Sequence, residues 1–227
     1  SSTHSYAYDD FGGLVRYVSP NSGTTQLQYN ASGRVTVRRD ATGTLDERTT
    51  AYSYDSLRRL TFVDNDSTHP VSCASAPAGT MITDEEYAYD VCPAQVPTGT
   101  ACNPRSAGKM TMARVALYCS GGSAYRRGTW YEYDTSGRPS RELIADDSTM
   151  SAPLASATTY TSGGRVESIG SPLNASLGNR WGYSSESGEA TAVGWGFIPM
   201  ALWVEYLPFG TIKAYETWAT IAGSHVL

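Results

Sequence analysis

Leu27-Gln28-Tyr29-Asn30-Ala31-Ser32-Gly33-Arg34-Val35-Thr36-Val37 is the stretch from which the fold can be read. Asn30 followed three places later by Gly33 is the signature of a type I turn. The amide oxygen caps the turn's backbone N–H groups, and glycine takes the left-handed position that lets the flanking strands pair. Leu27 and Tyr29 before the turn, and Val35 and Val37 after it, alternate with polar residues at the two-residue period of a strand. The segment therefore predicts a β-hairpin with one buried face.

The same frame recurs along the chain. Tyr6-Ala7-Tyr8-Asp9-Asp10-Phe11-Gly12, Tyr52-Ser53-Tyr54-Asp55-Ser56-Leu57-Arg58-Arg59-Leu60 and Tyr131-Glu132-Tyr133-Asp134-Thr135-Ser136-Gly137-Arg138 share the pattern Y-x-Y-D-x-x-G-R-V/L. Tyr160-Thr161-Ser162-Gly163-Gly164-Arg165-Val166 keeps it, and Tyr206-Leu207-Pro208-Phe209-Gly210-Thr211-Ile212 is a degenerate copy. Tyr87-Ala88-Tyr89-Asp90 opens another, with its Gly108-Lys109-Met110 half displaced by an insertion. Tyr183 begins one more, in which Gly188 falls a place late, and in the third copy Arg58 stands where glycine is expected, predicting an irregular turn. The key tyrosines at 8, 29, 54, 89, 133, 160, 183 and 206 are spaced by 21, 25, 35, 44, 27, 23 and 23 residues. A unit of 21–25 residues holds two ordinary strands and their connections. Residues 1–227 thus form a single repeat region of about seven or eight hairpins, with insertions near 64–83 and 91–107. One hairpin cannot bury its own face, so successive hairpins are expected to pair into a curled, spiralling antiparallel sheet. No stretch has sustained helical periodicity, and almost no helix is expected.

Composition agrees. Tyrosine is abundant (16) against 4 phenylalanines, and the 22 glycines suit many tight turns. A net charge of −5 with 17% charged residues lacks the basic stripe that a nucleic-acid partner demands. The most apolar stretch, Val193 to Val204, is too short to span a bilayer as a helix and is broken by Gly194, Gly196 and Pro199. The polar opening Ser1-Ser2-Thr3-His4, without an initiator methionine or signal peptide, is what a fragment would show.

Four cysteines, Cys73, Cys92, Cys102 and Cys119, all lie within the two long intervals. They allow three connectivities, with free thiols as the alternative. Cys92 and Cys102 bracket one insertion closely and are the first expected pair, which leaves Cys73 for Cys119.

Signs of chemistry are sparse, and the expectation is no enzyme, no catalytic residue, no metal and no cofactor. Only His4, His69 and His225 are available as bases, and neither G-x-S-x-G nor H-E-x-x-H occurs. Asp64-Asn65-Asp66-Ser67-Thr68 begins like a calcium loop but lacks the sixth-position glycine and the twelfth-position glutamate. Asp84-Glu85-Glu86 and Asp146-Asp147 are adjacent on strands or loops, which points neighbouring carboxylates apart and makes poor acid/base pairs. Asp9, Asp55, Asp90 and Asp134 coincide with turn starts and read as structural. Arg34, Arg59, Arg138 and Arg165 flank those turns and are expected to stack on or pair with neighbouring repeats. Trp130, Trp181, Trp195, Trp203 and Trp218 suit inter-repeat packing better than a glycan platform. The sequons at Asn30, Asn65 and Asn174 matter only in a glycosylating host.

The repeated Y-x-Y-D-x-x-G-R-L motif resembles the YD repeats of bacterial RHS (rearrangement hotspot) proteins and their animal relatives, the teneurins, from about Tyr6 to Gly210. That resemblance implies a segment of a hollow β-shell wall. In bacterial members the shell often encloses a toxic C-terminal domain, and other members act in cell-surface adhesion. It implies a non-catalytic structural role in a secreted or cell-surface exported protein. The partners would be neighbouring repeats of a larger parent and an enclosed toxin or other effector. The alternative is an adhesion or glycan-binding module. The family's D-P-x-G-L segment, where self-cleaving members place their aspartates, is absent here, so neither self-cleavage nor toxicity is assigned to these residues.

Overall fold

The computed structural model describes residues 3–65, 73–101, 104–171, 178–185, 187–195, 198–206, 212–217, 219–221 and 224–226. The chain divides into two compact units. The first comprises Ser1–Gln95, Ala107–Thr129 and Asp146–Thr149; the second comprises Val96–Ser106, Trp130–Ala145 and Met150–Leu227.

In the first unit the strands are β1 (Ser5–Tyr8), β2 (Leu14–Ser19), β3 (Gly23–Tyr29), β4 (Val35–Asp40), β5 (Arg48–Tyr54), β6 (Leu60–Asp64), β7 (Glu85–Tyr89) and β8 (Met110–Ser120). Next comes β9 (Ser123–Tyr133). The second unit continues with β10 (Pro139–Asp146), β11 (Leu154–Tyr160), β12 (Val166–Gly170), β13 (Gly178–Tyr183), β14 (Ala190–Trp195), β15 (Ile198–Tyr206) and β16 (Ile212–Thr217). A short hairpin of β17 (Ala219–Ile221) and β18 (Ser224–Val226) stands apart from the main sheet. Sheet order follows chain order within each unit, with antiparallel pairing from β1 to β8 and from β10 to β16. Helix among the described residues is one 3-10 turn, Pro104–Ser106, and none is long and apolar enough to cross a membrane. The all-β, hairpin-by-hairpin reading of the sequence is what the chain adopts.

The turns close as the sequence dictates. Gly12, Gly33 and Gly137 have φ of 82°, 73° and 78°, and each donates its N–H to the carbonyl of the Asp or Asn three residues earlier. A second bond runs back from the N–H of Asp9, Asn30 or Asp134 to the carbonyl of Gly13, Arg34 or Arg138. This is a type I turn followed by a left-handed bulge residue. The expected turn at Leu207–Gly210 lies outside the described residues. The third hairpin is not irregular: Arg58 accepts φ of 66° and makes the same Asp55 bond at 2.9 Å. The hydrogen bonds that close the turn on Asp55 hold an L-residue where glycine would sit unstrained.

The expectation of one buried face per hairpin is corrected by the register. Leu27 opposes Arg38 and Gln28 opposes Val37, so Leu27 and Val37 lie on opposite faces. The bulge leaves Thr36 as an extra residue between the Gln28–Val37 and Tyr29–Val35 pairs, and a one-residue offset moves a strand's whole set of side chains to the other face. β7 is half-buried on both faces, every residue intermediate, whereas β1 is exposed throughout and β12 alternates half-buried with exposed residues. Fully buried apolar side chains are few: Val63, Met112, Ala116 and Cys119 in the first unit, and Trp130, Leu143 and Ala145 in the second.

The first insertion is strapped down covalently. Cys73 and Cys119 form a disulfide across 46 residues, and backbone bonds from Gly79 N to Cys119 O and from Ile82 N to Leu117 O carry the strap along β8. In the loop-entropy picture, closure of that length stabilises by about 4 kcal/mol. Cys92 is also disulfide-bonded, but the expected Cys92–Cys102 pairing lies outside the described residues at Cys102. In the second insertion Asp90 N still bonds Lys109 O at 3.0 Å, so the hairpin closes at its base despite the intervening residues.

Nothing lies within 4 Å of a Cβ built on Gly33, so substitution there tests backbone conformation alone. Gly33→Val should destabilise by roughly 1–2 kcal/mol, the left-handed penalty. Arg58→Gly should stabilise by about 0.5–1 kcal/mol once glycine's greater unfolded-state entropy is deducted. Denaturant melts of the two variants check the pair, and an Arg58→Gly melt below the parent's would contradict the strain reading.

Candidate functional site: the arginine–tyrosine rungs

The repeat's signature residues converge where one hairpin meets the next. Between hairpins the backbone ladder stops short of the turn. β2–β3 ends at Arg16↔Gln26, β4–β5 at Val37↔Ala51, β10–β11 at Arg141↔Ala157 and β12–β13 at Ser168↔Arg180. Two residues beyond each end, the carbonyl of Leu14, Val35, Pro139 or Val166 lies past the last pair of the ladder. The key tyrosine of the following hairpin supplies it with a donor. Tyr29, Tyr54, Tyr160 and Tyr183 donate their hydroxyls to those carbonyls at 2.8, 2.8, 2.5 and 2.7 Å. Phenylalanine has no such donor, which accounts for the composition.

The arginine of the preceding turn covers the tyrosine ring. Arg34 lies over Tyr54, Arg59 over Tyr89, Arg138 over Tyr160 and Arg165 over Tyr183, at 5.6, 4.4, 4.1 and 5.5 Å from the ring centroids. Such contacts contribute about 0.5–1 kcal/mol at exposed sites. The distances sort by the residue that starts the turn. Asp134 Oδ1 caps Ser136 N and Arg138 N, while its Oδ2 accepts from Arg138 Nε at 2.7 Å. Asp55 does the same for Arg59, at 2.8 Å from both N and Nε. In both, the carboxylate draws the guanidinium onto the ring. Asn30 caps Ser32 N and Arg34 N but carries no charge, and Thr161 reaches Arg165 only at its backbone N. Their arginines stand more than 1 Å further out.

Arg59 is held twice, since Nη1 also donates to Asp90 Oδ1 at 3.0 Å and Nη2 bonds Asp90 Oδ2. Asp90 accepts Gly108 N as well. Arg59 and this N–H together pull the Asp90 carboxyl down to about 2, and Asp90 with Asp55 raises the Arg59 guanidinium further. Asp55 and Asp134 are lowered chiefly by the backbone N–H of the arginine four residues on.

The remaining sequence candidates dissolve into structure. Glu86 pairs with Arg114 at 2.7 Å, Glu85 accepts the Tyr87 hydroxyl and raises it to about 12, and Asp84 accepts Asn65 N. Asp146 caps Ser148 and Thr149, and Asp147 accepts Arg126 N. His4 bonds the Tyr17 hydroxyl. Trp130 is core, and Trp181 is half-buried. The side chains of Trp195, Trp203, Trp218 and His225 lie outside the described residues, as do Asp66 to Thr68, His69 and Asn174. Among the described residues no three His, Cys, Asp or Glu side chains are grouped to hold a metal.

Sequence reasoning missed Glu132, the residue between the two tyrosines of its repeat. It is 7% exposed, accepts Ala101 N at 2.5 Å and lies 3.7 Å from Arg141, whose Nη1 donates to Gly99 O. It docks the second insertion on β9 and β10. Other repeats carry Ala7, Gln28, Ser53, Ala88, Thr159, Gly182 and Glu205 there, and a carboxylate at a position held mostly by small or neutral residues was the available signal.

This geometry defines a tyrosine-aspartate hairpin-repeat protein. The chain carries an RHS repeat: the family model described as RHS Repeat matches residues 6–45. No curated protein matches the chain. Among solved structures, the Tc holotoxin pore of Photorhabdus luminescens is similar over 96% of this chain and 11% of its own, with 12% identity and a TM-score of 0.41. A TcdB2-TccC3 structure without its hypervariable C-terminal region is similar over 96% and 12%, with 13% identity and a TM-score of 0.41. The chain thus spans about a tenth of the length of these structures.

Two outcomes are expected at the rungs. Asn30→Asp should draw Arg34 towards Tyr54 and raise stability by about 0.2–1 kcal/mol, as exposed ion pairs do; an unchanged melt would count against the carboxylate's steering role. Asp90, held at about 2 in the fold against about 3.9 unfolded, stabilises fully above pH ~4, and that contribution is lost as pH falls through about 2. Acid titration should show it, and Asp90→Asn should flatten the curve across that window.

Proposed function

We propose that the chain is a non-catalytic wall segment of an RHS-type shell, part of a longer exported protein that encloses or presents a toxin or other effector. The observation that carries this is the rung. The side chains the repeat holds in common are engaged in joining one hairpin to the next, and the described acidic and histidine side chains considered above serve turns and strands. A sheet with few fully buried apolar side chains among the described residues suits a wall better than a self-contained globule. The Cys73–Cys119 disulfide fits folding in an oxidising compartment, as export would require. The partners on this reading are neighbouring repeats and the enclosed segment. Exposed Tyr6, Tyr8 and Phe11, at 57%, 62% and 99%, favour glycan or cell-surface binding as the second reading.

Limited proteolysis of the longer parent protein separates the two. A wall shields an enclosed segment, and Arg59→Ala with Arg138→Ala, which remove two rungs, should expose it to cleavage. Equal digestion of the non-repeat segments in parent and variant, together with saturable glycan binding lost in Tyr6→Ala, would overturn the wall in favour of the adhesin.

A further inference from the structure

The first turn of the series lacks the arginine that several later turns carry. Where the turns starting at Asn30, Asp55, Asp134 and Thr161 have Arg34, Arg59, Arg138 and Arg165, it has Gly13; the turns starting at Asp90 and Ser184 have Lys109 and Glu189. Everything that holds the arginine elsewhere is still present. Asp9 Oδ1 caps Phe11 N and Gly13 N at 3.0 and 2.7 Å, as Asp134 caps its own turn. The next tyrosine, Tyr29, bonds the Leu14 carbonyl as its counterparts do. Asp9 Oδ2, which in Asp55 and Asp134 receives the guanidinium, accepts nothing among the described residues. It leans towards the arginine position, since a Cβ built on Gly13 would stand 2.8 Å from it. No cation of the described chain covers Tyr29. Arg16 opposes Gln26 in register, which puts it on the face away from Leu27 and Tyr29, and Arg34 serves Tyr54.

We propose that Asp9, Gly13 and Tyr29 form an open receptor for a guanidinium group, filled by an arginine side chain of a peptide segment from outside this chain. Asp55–Arg59–Tyr89 and Asp134–Arg138–Tyr160 display the bound state: carboxylate to Nε at 2.8 and 2.7 Å and ring centroid at 4.4 and 4.1 Å. The ligand would take the same two contacts, a charge-assisted hydrogen bond and a ring face. Guanidinium is preferred over ammonium because its planar fork bonds the carboxylate while its flat face lies on the ring. Asp9 and Tyr29 are half-buried, so the site is open to solvent yet partly desolvated. A groove of about 610 Å³ is lined by Leu14, next to Gly13 in the chain, and by Leu27, Tyr6 and Tyr17, with Arg38 paired to Asp40 at its side. It offers apolar surface for the residues flanking the arginine. The receptor belongs to the first hairpins alone and does not depend on the shell reading.

Titration of the chain with N-acetyl-arginine methylamide, followed by amide shifts in heteronuclear NMR, tests this. Saturable shifts centred on Gly13, Leu14 and Tyr29 are expected, weaker with the lysine analogue. Asp9→Asn should keep the turn, since Asn30 caps its own, and lower the affinity by about tenfold, the scale of a lost charge-assisted bond. Gly13→Arg should fill the receptor and erase the response; should that variant not fold, the Asp9→Asn comparison decides. Absence of saturation, equal affinity in Asp9→Asn, or a persisting response in folded Gly13→Arg would each overturn the proposal.

Discussion

A tyrosine hydroxyl reaching a backbone carbonyl just past the end of a strand ladder is the contact on which the architecture turns. A type I turn with a left-handed bulge closes each hairpin tightly, but the gap to the next hairpin is left without backbone pairing near that turn. A peptide carbonyl half-sheltered there needs a donor. Tyr29, Tyr54, Tyr160 and Tyr183 meet this need from a fixed place in the following repeat. The ring that positions the hydroxyl then becomes the platform for an arginine. The two halves of the motif, tyrosine before the turn and arginine after it, thus serve adjacent hairpins rather than the same one.

The aspartate has a double task. One carboxylate oxygen caps the turn and the other aims the arginine, and the repeats themselves supply the comparison. Where the turn begins with Asp55 or Asp134, the guanidinium is pinned on the next ring. Where it begins with Asn30 or Thr161, the cap survives and the stacking loosens. Turn closure requires only an acceptor atom, whereas close approach to the ring also requires charge. The chain tolerates loss of the second function in some repeats without losing the first.

Much of this was legible in the residues. Asn30 with Gly33 announced a turn and repetition of the frame announced serial hairpins, whereas Arg58 announced an irregular turn that the chain does not make. Placing the arginines on neighbouring repeats also followed from their position beside every turn. What the sequence concealed was register. Alternation in Leu27/Tyr29 and Val35/Val37 looks like one apolar face, yet the single extra residue of the bulge puts Leu27 and Val37 on opposite sides. Alternation within a strand carries no information about a slip between strands. Glu132 was hidden for a related reason: its partners, Ala101 N and Arg141, come from an insertion and a neighbouring strand, contacts that no local pattern encodes. The Cys73–Cys119 strap was legible as the pair left over when Cys92 and Cys102 are matched across one insertion.

Since every rung links only adjacent hairpins, damage in such a chain stays where it occurs. Cooperativity passes from neighbour to neighbour, as in other repeat arrays, so a faulty turn weakens two interfaces and leaves distant ones intact. This gives the sequence unusual room to drift. A glycine becomes Arg58, an aspartate becomes Asn30 or Thr161, a loop lengthens by one residue before Gly188 or by many after Asp90, and the hairpins still close. Globular cores seldom allow such latitude, because one misfit side chain there disturbs all its neighbours at once. Here long insertions such as the disulfide-bound strap can be added to one repeat without renegotiating the rest, which makes the array a tolerant scaffold for acquiring new surface features.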